Sequence, residues 1–263
     1  MNPFIWGCLG KGSIFVHRVH KNILAEYFSA VEKERLYSSA GNLRFRLKSL
    51  FEKIDFKDKR ILDIGGGSGV LSFYAGCRGA KYVVCLEPEV DGSAPYVLEK
   101  FRRFKSLLSL NHVFLETSNI QKYEPVDIRF DIVLLHNSVN HLNEEACIRL
   151  MEDKKSRETY RNIFRKIALL AQTGATLIIS DCSRYNFFNQ CKMKNLFARH
   201  IEWRKHQAPE VWVQLLEEVG FGKANIEWMS LDQMRSLGLL LFGNKVGSYF
   251  LGTNFLLTMK KTV

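Results

Sequence analysis

Asp63, Gly65, Gly67 and Gly69 fall at alternate positions in the run Arg60-Ile61-Leu62-Asp63-Ile64-Gly65-Gly66-Gly67-Ser68-Gly69. An apolar strand enters a glycine-rich turn there, and Val70-Leu71-Ser72-Phe73-Tyr74-Ala75 opens a helix. Glycines permit the tight turn and let a ligand approach the backbone. The helix that follows presents unpaired N–H groups. Such a loop suits a cofactor lying across the carboxyl ends of the strands. The spacing excludes two cofactor classes. A dinucleotide loop, G-x-G-x-x-G/A, would end on Val70 or Ser72, and neither fits. A phosphate loop needs a lysine after the last glycine, and none follows. Asp63 would repel a pyrophosphate but attract a cation or an amine. Glu87 ends the run Val83-Val84-Cys85-Leu86, 22 residues past Gly65. A carboxylate there can accept hydrogen bonds from both hydroxyls of a ribose.

Three histidines are candidates for proton transfer. His136-Asn137-Ser138-Val139-Asn140-His141 directly follows an apolar strand pattern. A neutral imidazole can take a proton from a hydroxyl, although a histidine at such a place also serves as a cap or packs. Glu202 and His206 are spaced i, i+4. On a helix they share a face, as a carboxylate-oriented base or as a surface pair. Asp181, after the fifth strand, either orients a substrate or caps a turn. Asp131 and Asp181 are too few to hold Mg²⁺, and Asp131 starts its strand, so no metal is expected. The six cysteines form no Cys-x-x-Cys pair, which argues for free thiols and a cytoplasmic location.

From about residue 57, short apolar strands alternate with helix-length segments. Strands are expected at 60–64, 82–86, 112–116, 130–135 and 175–180. Helices are expected at 69–79, 93–108 and 144–171, the last broken, with Ser93 as an N-cap. The alternation predicts an α/β fold, a doubly wound and mostly parallel sheet covered on both faces. Amphipathic helices at 14–37 and 42–54 precede it. An irregular, basic and aromatic stretch fills 183–207. A helix near 209–219, a strand at 223–229, a short helix at 231–241 and a last strand at 248–259 close the chain. We expect an N-terminal helical cap over residues 1–55 and a core over 56–263 with a substrate-side insertion at 183–207. The start of the chain has no basic n-region and reads as a packed or frayed terminus, not a signal peptide.

Asp63-x-Gly65-x-Gly67-x-Gly69, with a following strand that ends in an acid, resembles motif I and its successor in class I S-adenosylmethionine-dependent methyltransferases. The likeness continues in Phe130-Asp131-Ile132-Val133-Leu134-Leu135 and in Gly174-Ala175-Thr176-Leu177-Ile178-Ile179-Ser180. It covers residues 57–182 well and 208–260 loosely, and it implies a seven-stranded Rossmann-like core with S-adenosyl-L-methionine as cofactor. By this resemblance Gly65 and Gly67 line the methionine part, with Gly69 completing the loop. Asp63 supports the loop or the bound amine, and Glu87 holds the ribose. Asn119 and Ile120 meet the adenine, although the family more often has Asp where Asn119 stands. His136 and Asn137 border the sulfonium.

The net charge is +11. The motif-bearing stretch 61–150 is net −2, whereas residues 1–60 carry +6 and 151–263 carry +7. The excess charge therefore points to an anionic acceptor, or to the surface presenting it, and not to the cofactor. The leading expectation is methyl transfer to a small-molecule or saccharide acceptor, at oxygen. An RNA methyltransferase is the alternative, motivated by the basic, aromatic insertion. Against it, the chain has no Asn-Pro-Pro-Tyr loop after strand four and no Pro-Cys pair. A membrane-surface role for the helix at 14–37 is opposed by Glu26, Glu32 and Glu34 on its polar face. No apolar run is long enough to span a bilayer.

Overall fold

Alternation of apolar residues along the central strands sends side chains to both faces of one sheet, and helices cover each face. The computed structural model describes residues 23–89, 95–193, 201–229, 244–250 and 253–262. Strands β1 (Arg60–Ile64), β2 (Tyr82–Leu86), β3 (Val113–Glu116), β4 (Phe130–His136), β5 (Ala171–Cys182), β6 (Asn225–Trp228) and β7 (Asn254–Lys260) form a seven-stranded sheet. Its order is β3-β2-β1-β4-β5-β7-β6. β7 runs antiparallel to both neighbours, and the other pairings are parallel. The chain reverses its winding between β1 and β4, which opens a crevice at their carboxyl ends.

On one face, Leu62, Val84, Val133, Leu135, Leu177 and Ile179 share a core with α6 (Lys154–Leu170) and α8 (Pro209–Glu217). On the other, Ile61, Val83, Ile132, Leu134 and Ile178 pack with α3 (Val70–Cys77) and α4 (Val97–Leu108). The same cluster takes in the helix at 23–33 (α1) and α2 (Ala40–Phe51) through Tyr27, Val31, Leu43, Leu47 and Leu50. Ser39 caps α2 by accepting from the Asn42 N–H at 3.1 Å. The expected break in the long helical region is real. α5 (Glu144–Arg149) is capped by Asn143 and α6 by Asp153, whose side chains accept backbone N–H groups.

Several boundaries differ from expectation. α4 begins at Val97, not at 93, and Ser93 lies outside the described residues. α1 stops at residue 33, and Arg35 follows with φ 50°, a left-handed conformation that ends a helix. Residues 248–250, expected to open the last strand, fall instead in a helix, α9 (Lys245–Phe250), and β7 starts at Asn254. Residues 14–22 of the first expected helix and the short helix at 231–241 lie outside the described residues. In the insertion, Phe187–Gln190 forms one helical turn, α7, and Trp203–Lys205 a 3-10 turn. Among the described residues no helix is long and apolar enough to cross a membrane.

Candidate active site

The glycine loop sits in the crevice at the switch point. Gly65, Gly67 and Gly69 have φ of 70°, 55° and 80°, a region that favours glycine. Gly65 is anchored by its N–H to the Leu86 carbonyl at 2.8 Å. A Cβ on Gly65 would lie 2.5 Å from the Ser138 Cβ, whereas one on Gly67 would meet nothing within 4 Å. Gly65 is therefore required by packing, and Gly67 leaves open space where a ligand can approach. Gly65→Ala should lower the unfolding free energy by about 2–4 kcal/mol, from overpacking and the left-handed backbone together. Urea titration checks this.

Behind the loop, Asp63 accepts the Ser72 hydroxyl at 2.6 Å and is buried. Burial pushes its carboxyl up to about 6, opposed by the Ser72 hydrogen bond and helped by the nearby Glu87 charge. A value raised on folding means that Asp63 favours the fold when protonated. That contribution is complete below pH ~4 and is lost as pH rises through about 6. Asp63→Asn should therefore gain on the wild type by up to about 3 kcal/mol between pH 4 and pH 8. Urea unfolding at both pH values measures it. Glu87 is buried at the end of β2. Its carboxylate accepts the Gly67 N–H at 2.9 Å and the Glu89 N–H at 3.0 Å, so it also holds the loop.

These residues line a cleft of about 520 Å³ together with Asn119, Ile120, His136, Asn137 and His141. Gly69 does not line it: a Cβ there would strike the Phe101 ring at 2.5 Å, so this glycine packs α3 against α4. The Asn119 side-chain oxygen accepts the Lys122 N–H at 3.0 Å, forming a turn at the cleft wall. Ser138 donates to the Ile64 carbonyl at 2.6 Å, and Asn137 donates its N–H to the Ser180 carbonyl at 2.7 Å. The buried Tyr160 hydroxyl binds the carbonyls of Val139 and Asn140. Together these bonds fix the segment that carries His136 and His141.

The three histidines are brought to one region but in different states. Burial, reinforced by the Arg46 charge, pulls His136 down to about 3, so its ring stays neutral. His141 is exposed, with Nδ1 2.5 Å from Glu144. His206 lines a second pocket of about 260 Å³. That pocket shares Arg46, Asn137 and His141 with the cleft. The expected Glu202–His206 pair does not form. The 3-10 turn Trp203–Lys205 breaks the spacing, and Glu202 pairs with Lys205 at 3.2 Å instead. The partner of His206 is Asp181, whose Oδ1 is 3.1 Å from Nδ1. Asp181 is 1% exposed and its Oδ2 has no hydrogen-bond partner. The Asp181 contact fixes the Nδ1–H tautomer and leaves Nε2 as the acceptor. Asp131, by contrast, lies at the opposite end of the sheet and accepts the Arg60 N–H at 2.7 Å. Among the described residues no group of three or more His, Cys, Asp or Glu side chains is placed to hold a metal.

Sequence reasoning missed Arg46. It sits three residues after Leu43 on the buried face of α2 and lines both the cleft and the second pocket. The available signal was a cation inside the apolar stripe Leu43, Leu47 and Leu50.

Strand order, glycine loop and terminal antiparallel strand define the fold of class I S-adenosylmethionine-dependent methyltransferases. An S-adenosylmethionine-dependent methyltransferase from Mesorhizobium loti superposes with a TM-score of 0.54 at 14% identity, covering 82% of this chain and 95% of its own. The [4+2]-cyclase SpnF superposes at 0.56 with 14% identity, covering 86% and 82%. Its presence shows that the fold alone does not fix the reaction. In sequence, the histone-arginine methyltransferase CARMER of Drosophila ananassae is 24% identical over 154 residues. The match takes in 56% of this chain and 26% of that protein, so it spans about a quarter of the relative's length. No protein-family profile matches the chain.

Proposed function

We propose that the protein transfers a methyl group from S-adenosyl-L-methionine to a hydroxyl of a small-molecule or saccharide acceptor. The observation that carries the hydroxyl assignment is the buried Asp181 behind His206, in a pocket contiguous with the cofactor cleft. The cofactor residues are those reached from sequence: Asp63, Gly65, Gly67, Glu87, Asn119, Ile120 and Asn137, with Gly69 acting through packing. The open space at Gly67 and the two carboxylates at the cleft fit a ligand that carries a ribose and a cationic amino-acid end. When bound, S-adenosylmethionine supplies an electrophilic methyl on a sulfonium.

The chain's part is alignment and proton removal. His206 Nε2 accepts the hydroxyl proton as the oxygen becomes nucleophilic. Asp181 stabilises the resulting imidazolium through Nδ1–H. Burial favours this pair over His141 and Glu144: the side chains are 14% and 1% exposed against 36% and 32%. His136, held neutral, acts as a wall and not as the base.

Arg46 supports an anionic acceptor, because this cation lines both the cleft and the pocket. The same cation opposes an arginine side chain as acceptor, the substrate that the curated relative's name states. RNA is the competing acceptor, and salt-dependent binding of mixed RNA would favour it. The N-terminal helices α1 and α2 act as a cap, with α2 contributing Leu43 and Arg46 to the cleft wall. The free thiols of Cys77, Cys85, Cys147, Cys182 and Cys191 support a cytoplasmic location. A screen of hydroxylated acceptors with labelled S-adenosylmethionine tests the assignment. Methylation at nitrogen alone, or of RNA alone, would replace it.

A further inference from the structure

We infer that the acceptor is bipartite, with an alkyl or aryl tail lying in an aromatic groove beyond the His206 pocket. This rests on the reading of that pocket as the acceptor site. The groove, about 560 Å³, is walled by Tyr185, Ala208, Trp228, Val246, Tyr249 and Phe250. Its volume falls in the range of small-ligand sites. Two chain segments run from pocket residues to groove residues, and a third ends on the strand neighbour of one. Asp181 on β5 lines the pocket, and Ser183, two residues on and just past the end of that strand, lines the groove. His206 leads to Ala208 in the same number of steps. Asn254 of the pocket precedes Phe255, which pairs across the ladder with Trp228 of the groove.

The walls are apolar where a tail would lie. Val246 is 67% and Phe250 46% exposed, an arrangement with a cost in water unless something covers it. Tyr249 packs edge-on against Phe250, and its hydroxyl is engaged, donating to the Gln190 side-chain oxygen. The charges at the rim satisfy one another: Lys245 lies 3.2 Å from Glu210. The groove therefore offers contact area and no unpaired charge at that pair, which selects an apolar tail over a second polar group. Concavity, and walls that neighbour pocket residues along the chain, favour part of a small molecule over a protein surface.

The test uses n-alkyl 4-hydroxybenzoates from ethyl to hexyl, titrated calorimetrically into the full chain with and without S-adenosylhomocysteine. Affinity should rise about fourfold per methylene. Val246→Asp, a change at an exposed position, should flatten the series while S-adenosylhomocysteine affinity holds. A flat series with the wild type, or a slope that survives Val246→Asp together with Tyr249→Ala, would overturn the inference. A flat series with a Val246-dependent dimer in sedimentation would assign the groove to a second copy. If S-adenosylhomocysteine binds and the series is flat, the methyltransferase reading stands alone. If it fails to bind while the slope depends on Val246, the groove binds tails but is not part of a methyl acceptor site.

Discussion

His206→Gln should lower kcat/KM for the acceptor by a factor of about 10²–10⁴, the usual worth of a positioned general base. Its affinity for S-adenosylhomocysteine should be unchanged, because His206 lines the second pocket and not the glycine-loop cleft. The split between kcat and KM separates catalysis from packing. Loss of a base lowers kcat with the acceptor KM little changed, whereas a packing defect moves KM and the urea midpoint as well. His136 is no substitute base, since burial and Arg46 hold it near 3. Asp181→Asn should be nearly as severe. An amide can donate to Nδ1, which reverses the tautomer and turns an N–H toward the acceptor. His141→Gln should cost much less, because its Glu144 partner is a third exposed and shared with Lys205 at 3.1 Å. Equal losses in His141→Gln and His206→Gln would contradict the assignment.

Glu87→Ala should weaken cofactor binding at least hundredfold. Hydrogen bonds to a charged group contribute about 1.5–3 kcal/mol each, so two ribose hydroxyls account for about 3–6 kcal/mol. The loop adds to the effect, because the Gly67 N–H loses its carboxylate partner at 2.9 Å. Glu87→Gln keeps one acceptor oxygen and should fall between Ala and wild type. Calorimetry with S-adenosylhomocysteine gives the affinities. The urea midpoint of each variant shows whether the loss is local.

The strands that position the loop were legible because each is bounded by turn signals and buried on both faces. β1 and β2 match their expected residues, 60–64 and 82–86. The glycine loop was legible because positive φ leaves a mark in composition. Residues 248–250 were misread because Tyr249 and Phe250 suit a strand by propensity, while the helix they join packs both rings against Phe187. The Asp181–His206 pair was not legible as a pair. It joins residues 25 apart, and no local periodicity reports such a contact. Spacing suggested Glu202 instead, since i, i+4 logic assumes a helix that a 3-10 turn replaces. Arg46 was hidden for the same reason: its target is reached only through the packing of α2 on the sheet.

The crevice above Gly65 and Gly67 is the proposed seat of S-adenosylmethionine. Isothermal titration of S-adenosylhomocysteine into wild-type protein, Glu87→Ala and Gly67→Arg tests it most directly. We expect one site of micromolar affinity in the wild type and no measurable heat in either variant, since an arginine at Gly67 would fill the open space that the backbone leaves. Absence of binding to the wild type, or equal binding to all three proteins, would contradict the account.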